Sequence, residues 1–273
     1  MGDQAMVDSL KQQAKTVRKE VLTMIHTAGS GHPGGSLSAA DIMTALYFHE
    51  LNIRPEEPKW DGRDRFVLSK GHVCPVLYTC LALRGYFDKE ILGTLRREGS
   101  ILQGHPDMKR CPGIDISTGS LGQGISTAAG MALRAKRDGL SYRVFVLVGD
   151  GEAQEGQVWE AAETASKYEL DNLIIIVDNN GLQNDGPCDA VMPTRDLAEK
   201  FKAFGCKVLG YSRTKKPEAE AEGIIYEELD ELLAHSDIVS LHIPSTAGTK
   251  GFLSKEKIAL MKKSAILINC ARG

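Results

Sequence analysis

Two runs of apolar, mostly β-branched residues lie in the middle of the chain, at 142–148 (YRVFVLV) and 173–177 (LIIIV). Each ends in a short polar cluster, Gly149-Asp150-Gly151 after the first and Asp178-Asn179-Asn180 after the second. The segment between them is long enough for one crossover helix, so the pattern predicts two parallel strands of a βαβ unit. Because both alternating sides of each run are apolar, we expect an α/β fold with a parallel sheet covered by helices on both faces.

Apolar residues also recur at helical spacing in other segments. They predict an amphipathic helix over 8–28 and a second helix over 39–50, which the hydroxyl of Ser36 or Ser38 can cap. Residues 63–85 predict a short strand, a turn and an apolar helix. This third strand is also followed at once by polar turn residues.

The polar clusters after the two long strands carry the first candidate chemistry. Ligands of parallel sheets collect beyond the carboxyl ends of the strands. There Asp150 offers a carboxylate oxygen and Asn180 an amide oxygen, and Mg²⁺ takes such ligands together with phosphate oxygens. Gly149 and Gly151 allow the backbone to approach a bulky anion. For either cluster alone, the alternative is a strand end with a glycine turn and an Asx turn.

Three histidines lie at loop edges beside glycine and outside any amphipathic stripe, namely His32, His72 and His105. Imidazole can hydrogen-bond phosphate or sugar oxygens and exchange a proton near neutral pH, so together they indicate a ligand cleft. A single such residue would be a loop histidine bonded to backbone. The glycine-rich stretch 117–124 (STGSLGQG) opens a predicted helix and is weak evidence for a phosphate site. The small residues after it also suit tight packing, including packing against another subunit.

Composition argues against several classes of function. The chain has 273 residues and a formal net charge of -3, with a pI near 6.2, so neither nucleic acid nor an acidic membrane is an expected partner. No apolar run approaches the ~20 residues that span a bilayer, and the N-terminal residues lack the apolar core of a secretory signal. Six scattered cysteines without a C-x-x-C pair favour free thiols in a reducing cytoplasm over disulfides or a zinc site.

Six segments together resemble the diphosphate-binding half of transketolases, over roughly residues 8–205. They occur in the family's order and read SGHPGGSLSAADIMTALY, RDRFVLSKGH, LQGHPD, STGSLGQG, GDGEAQEGQVWEAA and VDNNGLQNDG. Deoxyxylulose phosphate synthases share the GDG…NN pair, but GHPGG with EGQVWEAA is more similar to transketolase. The resemblance implies the thiamine diphosphate-binding fold and transfer of a ketol group between sugar phosphates. The implied cofactors are thiamine diphosphate and Mg²⁺, with Ca²⁺ as a possible substitute.

The resemblance also implies roles for individual residues. Asp150 and Asn180 would hold the metal, with the backbone carbonyl of Leu182 as a third ligand. Gly149, Gly151 and His72 would contact the cofactor diphosphate, and Ser120 and Leu121 would contact its aminopyrimidine. His32 and His105 would contact the substrate. Glu155 and Glu160 would contact the second active site of a dimer. The implied catalytic groups are His32, His72, His105 and Glu155. For the two glutamates, the alternative is a solvated acidic helix face.

One part of a transketolase has no counterpart in this resemblance. The family needs a pyrimidine-binding domain whose glutamate protonates the aminopyrimidine ring, and no matching motif occurs here. Some bacterial transketolases are split into two polypeptides, and this chain is similar to their N-terminal subunit. We therefore expect a homodimer and a separate pyrimidine-binding partner chain. The alternative is a fusion that keeps the metal–diphosphate site but lacks turnover.

From about residue 202 the chain resembles part of the NAD(P)-binding domain of D-2-hydroxyacid dehydrogenases. The predicted strand 207–211 precedes Arg213, which lies where such enzymes read the adenosine ribose, and Arg272 matches the family's substrate-binding arginine. The G-x-G-x-x-G turn is missing, and so are the later acid and histidine. Without that turn there is no diphosphate cradle, so we expect neither dinucleotide binding nor dehydrogenase activity.

Two arrangements of the tail stay open. Residues 206–273 either form a partial Rossmann-like βαβαβ extension after a first domain over 1–205, or they complete the sheet of that domain. In the second arrangement the elements are a strand at 206–211, a helix at 227–235, a strand at 237–243 and, at 245–251, a loop that approximates a glycine- and lysine-rich loop of transketolases.

Overall fold

Three neighbouring parallel strands form the sheet that positions the polar clusters. The structure, a computed structural model, describes residues 2–194, 197–205, 209–210, 225–236, 238–241, 253–262 and 266–269. The chain divides into two compact units, Met1–Arg195 and Asp196–Gly273. The domain boundary predicted at 205/206, and the choice between the two arrangements of the tail, stay predictions.

Helices and strands alternate in the N-terminal unit. Its helices are α1 (Gly2–Ala28), α2 (Pro33–Ser38), α3 (Ala40–Ala45), α4 (Cys74–Arg84), α5 (Gln123–Arg137), α6 (Gly156–Lys167) and α7 (Cys188–Val191). Its strands are β1 (Arg65–Leu68), β2 (Val144–Gly149), β3 (Leu173–Asp178), β4 (Leu182–Gln183) and β5 (Gly186–Pro187). A π-helical turn at Leu46–Glu50 continues α3, and 3₁₀ turns lie at Gly71–Val73, Lys89–Thr94 and Glu152–Gln154. Among the described residues, no helix has both the length and the apolar character to cross a membrane.

The main sheet has the order β1-β2-β3. Its register pairs Leu68 with Leu147 and Gly149 with Asp178, all in parallel. Every residue of β2 is buried, as expected for the central strand of a sheet covered on both faces. Because parallel neighbours end at the same edge, the polar residues after all three strands meet there.

Helices cover both faces of this sheet, which confirms the predicted fold class. On one face, the alternate valines of β2 pack with apolar residues of α5 and α6 such as Ile125 and Val158. On the other face, the ring of Phe66 in β1 meets the ring of Tyr47 edge to face, with 5.6 Å between centroids. The alternation of side chains along each strand divides its apolar residues between these two cores.

The predicted hydroxyl cap of the helix over 39–50 is wrong. The helix is present as α3 with its π-helical turn, but it begins after Ala39 and no side chain caps it. Ser38 instead donates its hydroxyl to the carboxylate of Asp178 at 2.7 Å. Ser36 is fully buried, and its hydroxyl has no partner among the described residues. A charged acceptor on β3 therefore competes successfully with the free N–H groups of the helix for Ser38.

The C-terminal unit also contains paired parallel strands. Its elements are α8 (Leu197–Ala203), α9 (Leu229–His235), α10 (Lys255–Ala259), β6 (Leu209–Gly210), β7 (Ile225–Tyr226), β8 (Ile238–Leu241) and β9 (Ile266–Asn269). Strand β6 pairs with β7, and β8 pairs with β9. Leu232 and Leu233 of α9 pack with Val239 of β8 in a small apolar cluster.

The predicted helix at 227–235 and strand at 237–243 correspond to α9 and β8. Arg213, Arg272 and the loop at 245–251 lie outside the described residues, so their suggested roles stay predictions.

Candidate functional site

The candidate site lies at the carboxyl edge of the main sheet. Strand β1 is followed by the turn with Lys70 and His72, β2 by Asp150, and β3 by Asn180. The pairing of the last residues of β2 and β3 sets the loops after these strands side by side. This is the edge at which parallel α/β sheets bind ligands.

Asp150 connects the loops after β2 and β3. It is buried, and one carboxylate oxygen accepts the N–H of Gly151 at 2.9 Å while the other accepts the N–H of Gly181 at 2.7 Å. The thiol of Cys188 donates to the second oxygen at 3.4 Å. Burial and the nearby carboxylate raise the pKa of Cys188 to about 11, so the thiol stays a neutral donor. Backbone donors from both loops therefore fix the orientation of the Asp150 carboxylate.

Asn180 is held by a chain of three side chains. Lys70 donates from Nζ to Oδ2 of Asp178 at 2.8 Å, and Ser38 donates from Oγ to Oδ1 of Asp178 at 2.7 Å. Nδ2 of Asn180 donates to Oγ of Ser38 at 3.2 Å, and Oδ1 of Asn180 accepts the N–H of Leu182 at 2.9 Å. The side chains of Lys70 and Asp178 are only 4% and 7% exposed, so removing either partner would leave a costly buried charge.

Glu152 ties three loops together through one buried carboxylate. Its Oε1 accepts the hydroxyl of Ser69 at 2.6 Å and the N–H of Gly122 at 2.8 Å. Its Oε2 accepts the N–H of Gly149 at 3.1 Å. Burial raises the pKa of Glu152, and these donors oppose the rise. The end of β1, the start of α5 and the end of β2 are thereby fixed to one another.

The three histidines lie near one another at this edge. The rings of His32 and His72 meet edge to face with 5.1 Å between centroids, and His105 is close enough to affect the pKa of both. Burial, helped by the charge of Lys70, lowers the pKa of His72 to about 4. Burial and the charge of Arg96 also lower the pKa of His32. His72 is therefore neutral at pH 7, which differs from the proton exchange near neutral pH that the sequence suggested.

Helix α4 holds the loop that carries His105. The buried Tyr78 directs its hydroxyl to the carbonyls of Gln103 and His105, both at 2.9 Å. The thiol of Cys74 donates to the carbonyl between them at 3.2 Å. The ring of His105 packs on Gly119, where an added Cβ would lie 3.2 Å from ring atoms. His105 is thus an exposed ring on a fixed backbone.

The glycine-rich loop before α5 exposes Ser120 and Leu121. Gly122 ends this loop in the left-handed region, with φ of 78°, and an added Cβ would lie 2.9 Å from Cβ of Glu155. Glu155 therefore contacts the loop, while Glu160 lies farther along α6, and both glutamates are exposed. Their roles at a second active site stay predictions.

The oxygen donors at this edge suit a hard divalent cation. Asp150 and Asn180 supply a carboxylate and an amide oxygen. Leu182 lies opposite Pro187 in the β4–β5 hairpin. The neighbouring pair carries the bond from the N–H of Cys188 to the carbonyl of Gly181, so Leu182 belongs to a non-hydrogen-bonded pair and its carbonyl points away from β5. Within the described ranges, no group of three or more His, Cys, Asp or Glu side chains gathers as a metal site. The residues fit Mg²⁺ that shares its coordination with diphosphate oxygens, and do not fit a cation held by such side chains alone.

Sequence reasoning assigned no role at this edge to four polar residues that help to form it, namely Ser38, Lys70, Glu152 and Asp178. All four lie inside segments that the sequence analysis had selected, but their partners are distant in sequence, as with Lys70 and Asp178. The available signal was a charged residue within two positions of an apolar strand, which applies to Lys70 after β1 and to Asp178 after the run 173–177. Such a residue at the end of a buried strand is usually paired.

Comparison with known proteins identifies two families in the chain. The model for "Transketolase, thiamine diphosphate binding domain" matches residues 9–231. The model for "D-isomer specific 2-hydroxyacid dehydrogenase, NAD binding domain" matches residues 194–273. The two-part composition predicted from the sequence is confirmed.

Several curated relatives are named as transketolases or as transketolase subunits. The chain is 49% identical over 199 residues to 6-deoxy-6-sulfo-D-fructose transketolase subunit SqwG of Clostridium sp. strain MSTE9, covering 73% of this chain and 72% of the relative. It is 43% identical over 203 residues to one subunit of the apulose-4-phosphate transketolase of Phocaeicola vulgatus, covering 74% of this chain and 72% of the relative. Human transketolase is 43% identical over 204 residues, which are 74% of this chain but only 33% of the human protein.

Solved transketolase structures share the fold. The transketolase of Campylobacter jejuni superposes with a TM-score of 0.71 at 29% identity, covering 96% of this chain and 37% of the solved one. The transketolase of Leishmania mexicana gives a TM-score of 0.70 at 25% identity, covering 95% of this chain and 36% of the solved one. The chain thus spans little more than a third of these proteins. It belongs to the transketolase family, of which it contains the thiamine diphosphate binding domain.

Proposed function

We propose that this chain is the diphosphate-binding subunit of a two-subunit, cytoplasmic transketolase that transfers a ketol group between sugar phosphates with thiamine diphosphate and Mg²⁺. The observation that carries the proposal is the bond from the N–H of Gly181 to the carboxylate of Asp150 at 2.7 Å. This bond puts Asp150 beside the loop of Asn180 at the carboxyl edge of the sheet. The carboxylate of Asp150 is thereby tied to the residue that follows Asn180, which supports a metal site shared by these two side chains.

The protein's part in this chemistry is positioning and hydrogen bonding. Thiamine diphosphate, when bound, supplies the nucleophilic carbon that no protein side chain offers. Asp150, Asn180 and the carbonyl of Leu182 would hold Mg²⁺, and the backbone at Gly149 and Gly151 would lie against the diphosphate. Because Gly149 is tied to Glu152 and Asp150 to Gly181, these groups are oriented before a ligand arrives.

The histidines would act on the diphosphate and the sugar. His72, with its pKa near 4, would donate a hydrogen bond to the diphosphate as a neutral imidazole. His32 and His105 are exposed and would hydrogen-bond substrate hydroxyls. The backbone at Ser120 and Leu121 would contact the aminopyrimidine.

The proposal includes a second chain and an anionic sugar. The relatives with matching length are named as subunits, so we propose a partner that supplies the pyrimidine-binding domain. A homodimer would bring Glu155 and Glu160, both exposed, to the interface. The two relatives are named for a sulfonated fructose and for apulose-4-phosphate. We therefore propose ketoses with a phosphate or sulfonate as the substrate class, which includes those of the pentose phosphate pathway.

A second candidate is a fusion that binds metal and diphosphate without turnover. The match of residues 194–273 to a dehydrogenase domain favours it, because that segment resembles a different family from the N-terminal residues. Both candidates predict cofactor binding, and only the first predicts ketol transfer.

Isothermal titration of the purified chain with thiamine diphosphate, with and without Mg²⁺, tests the shared part of both candidates. We expect Mg²⁺-dependent binding in the natural chain and none in Asp150→Ala, with circular dichroism showing a largely intact fold. The control is Asp138→Ala, which removes an exposed carboxylate whose partner is Arg134 on the same helix. Binding by Asp150→Ala as tight as in the control would remove Asp150 from the site.

A ketol-transfer assay separates the two candidates. The chain is mixed with pyrimidine-binding subunits of two-chain transketolases and supplied with ketose phosphates or a sulfonated ketose as donors. Transfer that depends on both chains supports the first candidate, whereas cofactor binding without transfer by any pair supports the fusion. Oxidation of NAD(P)H with a 2-oxo acid, followed by absorbance, would contradict our interpretation of the tail.

A further inference from the structure

An asparagine can present either its oxygen or its nitrogen to a ligand, but only the oxygen binds a cation. Asn180 is exposed at the end of β3, so its amide needs a neighbour that selects one orientation. The chain of bonds through Ser38 provides that selection.

The selection begins at a buried ion pair. The ammonium of Lys70 can only donate, and it lies 2.8 Å from the carboxylate of Asp178, which can only accept. Ser38 has one hydroxyl proton, and it gives that proton to Asp178 at 2.7 Å. Toward Asn180, the oxygen of Ser38 is therefore an acceptor only.

This leaves one favourable orientation of the amide. Asn180 presents Nδ2 to Oγ of Ser38 at 3.2 Å, and its Oδ1 faces the N–H of Leu182 at 2.9 Å. A reversed amide would set oxygen against the Ser38 oxygen and nitrogen against the Leu182 N–H, so both bonds would be lost. In the observed orientation, Oδ1 keeps a second lone pair free of the Leu182 bond.

We propose that Ser38 is a positioning residue for the metal site. Because the Lys70–Asp178 pair takes the hydroxyl proton of Ser38, the Ser38 oxygen can only accept a hydrogen bond from Nδ2 of Asn180, and this bond turns the amide oxygen of Asn180 toward Mg²⁺. The inference rests on the proposed function, because it assigns Oδ1 of Asn180 to the cation. It adds to the proposed metal site a residue on α2, which lies outside the loops that follow the strands.

The test compares cation affinity with anion affinity in Ser38→Ala. Mg²⁺ is titrated into the chain in a fixed excess of thiamine diphosphate, and the weaker binding of inorganic pyrophosphate is titrated with EDTA and no metal. We expect the Mg²⁺ affinity of Ser38→Ala to fall about three- to tenfold, the range for one lost hydrogen bond. The metal-free pyrophosphate affinity should not change, because Ser38 acts only through the metal ligand. Ser38→Thr keeps the hydroxyl and should restore Mg²⁺ affinity.

The matched control is Ser36→Ala, which makes the same truncation on the same helix. The hydroxyl of Ser36 has no partner among the described residues, so natural Mg²⁺ affinity is expected. An unchanged Mg²⁺ affinity in Ser38→Ala overturns the inference, and so does an equal loss in the metal-free titration, in Ser36→Ala or in Ser38→Thr. If the natural chain does not bind thiamine diphosphate with Mg²⁺, the proposed function itself fails, which is a different outcome.

Discussion

At the scale of single residues, the site is held by carboxylates that accept several bonds at once. Glu152 uses both oxygens, one for Ser69 and Gly122 and the other for Gly149. Glutamine has the same shape but only one acceptor oxygen, so Glu152→Gln must leave at least one buried donor unpaired. We expect it to lower the free energy of unfolding by about 1–3 kcal/mol, measured by urea denaturation.

The comparison for Glu152→Gln is Glu163→Gln, the same exchange at an exposed position of α6. It should change the free energy of unfolding by less than about 0.5 kcal/mol. Equal stabilities for the two variants would show that the contacts of Glu152 do not hold the loops.

His72 gives the fold a dependence on pH. Its pKa is lowered from 6.5 to about 4, chiefly by burial. Between these pH values the unfolded chain binds a proton at His72 that the folded chain does not. The contribution of His72 to the free energy of unfolding is therefore complete above pH 6.5 and is lost as the pH falls toward 4. In His72→Gln we expect the free energy of unfolding to decline less steeply over this interval.

Urea denaturation at a series of pH values measures that decline. His26→Gln, which changes an exposed histidine of α1, should decline as steeply as the natural chain. Parallel curves for His72→Gln and the natural chain would contradict the assigned pKa shift.

Residue types and spacing were sufficient to select Asp150 and Asn180 but not the residues that orient them. A carboxylate and an amide after apolar strands are visible in the sequence, and the parallel sheet then sets them at one edge. The bond between Ser38 and Asp178 joins α2 to the end of β3, and no local pattern encodes it. Local rules for helix ends predicted that Ser38 can cap the helix, but its hydroxyl donates to the carboxylate of Asp178 on a distant strand instead.

At the scale of elements, the glycine that precedes α5 and a glycine within it should respond oppositely to alanine. Gly122 precedes the helix with φ of 78°, and an added Cβ would lie 2.9 Å from Cβ of Glu155. Gly130 lies within the helix, and an added Cβ would meet nothing within 4 Å. We expect Gly122→Ala to destabilise the fold by about 1–2 kcal/mol and Gly130→Ala to stabilise it by about 0.5–1 kcal/mol.

Thermal unfolding followed by circular dichroism measures both glycine variants against the natural chain. The two substitutions add the same methyl group, one just before α5 and one within it, so their difference reports backbone strain and crowding at the loop together with the helix propensity of alanine. If both variants shifted the Tm in the same direction, the left-handed turn at Gly122 would not be needed for stability.

The strands were predicted more closely than the interruptions of the helices. The apolar runs at 142–148 and 173–177 correspond to β2 and β3 within two residues, because a strand buried on both faces needs apolar residues at every position. The helix predicted over 39–50 is divided into α3 and a π-helical turn. Apolar spacing does not report such a change in winding, and the π-helical turn still buries Leu46 and Tyr47.

At the scale of the whole molecule, composition and motifs identified both parts of the chain but not the arrangement of the second. The N-terminal sheet follows from its own apolar pattern. The short pairs β6–β7 and β8–β9 suit both an extension and a continued sheet, because a parallel pair has the same local pattern in either setting. Only contacts between distant segments distinguish the two.

Ligand binding should stabilise the N-terminal unit as a whole. Both tryptophans, Trp60 and Trp159, lie in this unit, so their fluorescence reports its unfolding. A ligand that binds only the folded state at a hundred times its Kd adds about 2.7 kcal/mol to the free energy of unfolding. For a unit of this size, that corresponds to a rise of about 5–10 °C in the fluorescence Tm.

We therefore expect that rise when thiamine diphosphate and Mg²⁺ are added together, and a much smaller one with either alone, because cation and diphosphate complete each other's coordination. Asp150→Ala should lose the rise and Asp138→Ala should keep it. A full rise in Asp150→Ala would place the cofactor elsewhere in the unit. A full rise with thiamine diphosphate alone would show that the diphosphate binds without the cation, and would contradict a site in which Asp150 and Asn180 hold the anion through a metal.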